Sequence, residues 1–107
     1  MPNRNKKRGY QLEAECRDFW IANGFTAKRT LAGGQYKNFL GKEHAADLWI
    51  EEFSVEAKRK KTGFKFLYNS LAQDEASMLC IKQDYCDRLY VLREATLLQL
   101  LNMAYRK

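Results

Sequence analysis

Asp47, Glu56 and Lys58 bring two carboxylates and an ammonium into one short stretch. These are the residue types that hold a hard divalent cation and steady the water bound to it. Whether they meet depends on the local fold. Residues 45–61, Ala-Ala-Asp-Leu-Trp-Ile-Glu-Glu-Phe-Ser-Val-Glu-Ala-Lys-Arg-Lys-Lys, alternate apolar and polar positions on either side of Glu51-Glu52. That alternation predicts a hairpin of strands 46–50 and 53–58. A turn centred on Glu51 and Glu52 pairs Ile50 with Phe53, Trp49 with Ser54, Leu48 with Val55, Asp47 with Glu56 and Ala46 with Ala57. Leu48, Ile50, Phe53, Val55 and the two alanines then share an apolar face, and Asp47, Glu56 and Lys58 share the other. Directly opposed residues have Cβ atoms roughly 4.5–5.5 Å apart, so two carboxylates there repel unless a positive charge lies between them. A divalent cation removes that repulsion, and a lysine two residues beyond one ligand reaches its water shell. A solvated hairpin whose acids and lysine only face water has the same pattern. The turn also lacks an Asn-Gly or Asp-Gly signal, so the register hangs on its centre.

The elements around this hairpin must position it. At 107 residues the chain is expected to form one domain, 1–107, able to bury roughly 60–70% of its unfolded surface without metal or disulfide staples. A net charge of +6 and a pI near 9.3 point to an anionic partner. No apolar run is long enough to span a membrane, and the first residues lack a signal-peptide core, so a cytosolic protein with no membrane partner is expected. The three cysteines, Cys16, Cys80 and Cys86, show no Cys-x-x-Cys spacing. They read as reduced thiols, with Cys16 and Cys80 buried, and argue against zinc. His44 is the sole histidine and reads as a loop residue, leaving little material for a histidine dyad.

Residues 1–8 carry Arg4, Lys6, Lys7 and Arg8 with no carboxylate, a flexible basic arm suited to phosphate contacts, although a plain tail looks the same. Leu12, Cys16, Phe19 and Trp20 fall at helical spacing over 10–23, and Gly24 supplies the stop. Glu13 and Arg17 form either an exposed pair on this helix or, with Glu13 turned inward, a link to a metal; periodicity does not choose. Residues 25–31 alternate as a strand that carries Lys28 and Arg29 toward a glycine-rich loop, 32–41. There Tyr36, Lys37 and Asn38 offer stacking and phosphate contacts. Arg59, Lys60 and Lys61 add positive charge just past the hairpin, where a phosphodiester would lie, and a solvated basic run would look identical. A helix is expected over 64–75, strands over 78–82 and 89–93, and a last helix over 94–105. That last helix is apolar on more than one face through Leu97, Leu98, Leu100, Leu101, Met103 and Tyr105, as core or as a surface for a second subunit. The order α-β-β-β-α-β-β-α predicts a mixed sheet flanked by helices, an α/β or α+β domain.

Arg8-Gly9-Tyr10-Gln11-Leu12-Glu13-Ala14-Glu15, then Gly24-Phe25-Thr26-Ala27-Lys28-Arg29, the glycine-rich loop, Ala46-Asp47 and Val55-Glu56-Ala57-Lys58 together carry a resemblance. In that order they resemble the archaeal-type Holliday junction resolvases of the PD-(D/E)xK nuclease superfamily, phage relatives included. The likeness covers 8–61 by motif and the remainder by element order. It implies a restriction-endonuclease-like fold, metal binding by Asp47 and Glu56 with help from Glu13, and a lysine, Lys58, that positions the attacking water. It further implies Mg²⁺, or Mn²⁺ in its place, as cofactor and a C₂ homodimer that nicks a four-way DNA junction symmetrically. The DNA contacts fall to Arg4, Lys6, Lys7, Arg8, Lys28, Arg29, Lys37, Arg59, Lys60 and Lys61. The setting is a bacterial or archaeal cytosol, or the host cytoplasm for a phage protein. Two departures stand out: Ala46 replaces the superfamily's proline, and Ala32 stands where junction resolvases often carry serine. A related nuclease acting on flaps, nicks or duplex, and a non-catalytic nucleic-acid-binding module, are the alternatives.

Overall fold

A computed structural model describes residues 4–30 and 46–106, with the backbone alone at 4–8. The helical spacing around Leu12 and Trp20 forms α1 (Arg4–Ala22). This helix begins well before residue 10, so residues 4–8, expected as a flexible arm, are its first turns. Arg4, Lys6, Lys7 and Arg8 are good helix formers, and no proline or glycine falls between them. Gly24 ends it at φ 90°, a left-handed conformation that glycine adopts without a Cβ clash. There the Phe25 amide donates to the Trp20 carbonyl at 3.0 Å and the Asn23 side-chain amide to the Phe19 carbonyl at 2.8 Å.

The chain then forms β1 (Ala27–Arg29), β2 (Leu48–Ile50) and β3 (Phe53–Val55), an antiparallel sheet in the order β1-β2-β3. The hairpin has the expected pairs Ile50 with Phe53, Trp49 with Ser54 and Leu48 with Val55. On the other side Ala27 faces Ile50, Lys28 faces Trp49 and Arg29 faces Leu48. The turn holds without Asn-Gly because Glu51 takes φ 52° and is tied to the start of β1. Its amide donates to the Thr26 carbonyl at 2.8 Å, and its carboxylate accepts the Thr26 amide at 3.2 Å. α1 packs on β1 and β2. Between them lie Trp20, only 2% exposed, with Phe25, Ala27, Ala46, Leu48 and Ile50. Trp20 meets the Phe19 and Phe25 rings edge-on, with centroids 5.2 and 5.4 Å away. Each such fully buried large side chain contributes roughly 1.5–3 kcal/mol. Phe53 shares the apolar face but is 51% exposed at the hairpin tip.

The chain divides into two compact units, Met1–Lys60 and Lys61–Lys107. The second holds α2 (Lys65–Ala72), one 3₁₀ turn at Gln73–Glu75, the antiparallel pair β4 (Met78–Ile81) and β5 (Leu89–Leu92), and α3 (Glu94–Tyr105). The helix expected over 64–75 stops at Ala72, where the Gln73 backbone turns extended at ψ 126°, and Asp74 and Glu75 then go left-handed at φ 57° and 51°. Leu71, 6% exposed, anchors this unit. Met78 and Cys80 project from the exposed side of β4 while Leu79 and Ile81 turn inward, so Cys80 is exposed rather than buried. Along α3, Leu97, Leu98, Leu101 and Tyr105 are half-buried, and Leu100 and Met103 are exposed.

The molecule is thus mixed α/β, with three helices and two small antiparallel sheets among the described residues. A single mixed sheet was the expectation. Instead, among the described residues, β4 pairs with β5 across a short connection, the arrangement that two strands adjacent in the chain form without a crossover. No described helix is long and apolar enough to cross a membrane.

Candidate active site

The β2–β3 ladder ends at Leu48 and Val55, one pair short of the opposition expected for Asp47 and Glu56. Side chain replaces backbone at that point. The Asp47 carboxylate accepts the amide of Ala57 at 2.9 Å through Oδ2, and its backbone carbonyl accepts the amide of Thr30 at 3.0 Å. Asp47 is therefore fixed between the exits of β1 and β3. Because Ala57 lies between Glu56 and Lys58, one hydrogen bond ties both of these residues to the aspartate. Glu56 and Lys58 themselves are exposed.

Glu13 supplies the third acid from α1. It is 8% exposed, the one charged residue buried among those described. Burial raises its pKa above the ordinary 4.5, and the neighbouring charges of Asp47 and, less strongly, Glu56 raise it further. The Arg29 guanidinium acts in the opposite direction. Three acids thus share one neighbourhood at the end of the first sheet. The exposed helix pair is not what Glu13 makes: Arg17 bonds to its neighbour Asp18 at 2.9 Å.

Arg29, expected among the DNA contacts, is half-buried beside Glu13. It sits on the same side of β1 as Ala27, the side covered by α1, and faces buried Leu48. Its Nε lies 3.6 Å from Glu13 Oε1, an ion pair longer than a hydrogen bond, and its guanidinium stands 5.5 Å from the Tyr10 ring centroid. That Nε is buried with no hydrogen-bond acceptor among the described residues. The period-two alternation that places Ala27 inward is the signal that could have found this.

Among the other expected DNA contacts, Lys28, Arg59, Lys60 and Lys61 are exposed. Arg59 is tethered to α1 by a 3.4 Å bond from Nη1 to Gln11 Oε1. The side chains of Arg4, Lys6, Lys7 and Arg8, together with Lys37, the glycine-rich loop and His44, lie outside the described residues.

The acids offer only oxygen donors and gather several negative charges, a donor set that suits Mg²⁺ or Mn²⁺ and not a soft metal. Among the described residues no group of three or more His, Cys, Asp or Glu side chains stands close enough to hold an ion as arranged. The chemistry of the set fits a divalent cation; the side chains must draw together around it. Compared with protein-family models, curated proteins and solved structures, the chain finds no match.

Proposed function

We propose that the protein is a metal-dependent DNA endonuclease, and that its substrate is branched DNA, a four-way junction, cut by a homodimer. One observation carries the nuclease reading. The Asp47 carboxylate holds the backbone between Glu56 and Lys58, while buried Glu13 feels the charge of both acids. Junction selectivity, the dimer and the restriction-endonuclease-like fold rest on the resemblance of residues 8–61 to archaeal-type resolvases. The antiparallel β1–β3 sheet under α1 is compatible with that fold.

Asp47 and Glu56 would hold Mg²⁺, with Glu13 behind them. The bound ion would polarise the scissile phosphate and lower the pKa of its water. Asp47 keeps its geometry through the Ala57 amide on Oδ2 and the Thr30 amide on its carbonyl, which leaves Oδ1 as the oxygen that would face the ion. Lys58, exposed beside that anchor, donates to the attacking water or to the developing negative charge on phosphate. Lys28, Lys60 and Lys61 steer the phosphodiester backbone, contacts that fix position and carry little sequence information.

A non-catalytic DNA-binding module is the second reading, favoured by the absence of a ready-made metal group among the described residues. Incubation of the purified protein with a synthetic four-way junction, a flap and a linear duplex, with Mg²⁺ or with EDTA, separates these readings. Junction nicks that EDTA suppresses support the proposal. Equal cutting of all three substrates removes junction selectivity, and binding without any cutting leaves the module.

A further inference from the structure

We propose that Arg29 is the built-in counter-cation of the acidic site, so that its guanidinium and a divalent cation compete for Glu13. The inference rests on the metal-site reading above and adds a residue to it. Glu13 is the buried acid, and the cation facing it is Arg29, 3.6 Å away. Asp47 and Glu56 add negative charge to the same neighbourhood, and the Arg29 guanidinium is the cation that offsets it at Glu13. The contact is not well made: Nε is buried and lacks an acceptor among the described residues. A buried donor without a partner raises the free energy of that arrangement, and a second position in which it meets an anion relieves it. An ion entering among Glu13, Asp47 and Glu56 removes the reason for the guanidinium to stay, because two cations on one carboxylate repel. Arg29 is then a positioning residue. It offsets the charge of Glu13 in the metal-free protein, and on metal binding its planar fork of donors becomes available to a phosphate.

Coupling of this kind is reciprocal: what metal does to Arg29, Arg29 does to metal. The test is Mn²⁺ binding to the full chain without DNA, by calorimetry, for the wild type and for Arg29→Gln, Arg29→Lys and Asp47→Asn. The expected result is that Arg29→Gln binds Mn²⁺ at least about fivefold more tightly than wild type. Arg29→Lys, which keeps the charge, should stay near wild type, and Asp47→Asn should weaken binding. Unchanged or weaker binding in Arg29→Gln, with Asp47→Asn still weakened, overturns the counter-cation role and spares the site. Failure of the wild type to bind Mn²⁺ overturns both. A readout on the unmutated protein guards against a variant that does not fold. The Arg29 Nε–H proton should exchange slowly with solvent in EDTA and faster with saturating Mg²⁺, and equal exchange in the two conditions contradicts the proposal.

Discussion

Glu13 shows how one buried acid links the fold to the site. Its pKa lies above 4.5 because burial and the Asp47 charge disfavour ionisation more than Arg29 favours it. The folded chain therefore holds this proton more tightly than the unfolded chain does. The stability that the neutral carboxyl supplies is fully present below 4.5 and is lost as pH rises through the raised value. Glu13→Gln imitates the neutral form. In EDTA at pH 8 it should be more stable than wild type by urea denaturation, with the difference shrinking toward pH 4.5. A less stable Gln variant at pH 8 would mean that the Arg29 ion pair outweighs burial. At this scale the hairpin pairs were legible, because counting outward from Glu51-Glu52 identifies each partner. The role of Arg29 was not: a basic residue beside a glycine-rich loop reads as a phosphate contact, and only the helix above β1 turns it into a partner for Glu13.

Among the elements, α1 carries both core and site. Trp20 and Leu12 follow its apolar spacing, and Glu13 follows Leu12 onto the edge of that face. Gly9 lies inside the helix, and a Cβ added there would meet nothing within 4 Å. Glycine in a helix interior is unfavourable relative to alanine by roughly 0.5–1 kcal/mol. Gly9→Ala should therefore raise the melting temperature by about 2–6 °C, and an unchanged or lower value would show that the helix does not run through this point as described. The start of α1 was missed because a run of positive charge reads as a solvated arm even when its residues are good helix formers. α2 ends before its apolar spacing does for a reason no local pattern announces, the extended backbone at Gln73 followed by left-handed Asp74 and Glu75, neither of them glycine.

For the whole molecule, the two compact units differ in what each buries. The first encloses Trp20, Phe25, Leu48 and Ile50; the second encloses Leu71, with Met78, Leu89, Tyr90 and Met103 exposed. Amides open locally where few apolar contacts hold them. Hydrogen exchange should accordingly be faster across β4 and β5 than across β2 and β3, and equal protection would contradict this division. The mixed α/β class was legible from the alternation of strand and helix periods. The pairing of strands into two sheets was not, because periodicity says which face of a strand is apolar and nothing about which distant strand lies beside it. The central claim is that the acids at the end of the first sheet cut DNA with a metal ion. Its most direct measure is the cleavage rate of a four-way junction in Mg²⁺ by wild type, Asp47→Asn and Lys58→Ala, with junction binding followed in parallel. Both variants should bind the junction and cut it at least about 100-fold more slowly. Cutting at the wild-type rate by either variant would contradict the role assigned to that residue, and by both would contradict the site.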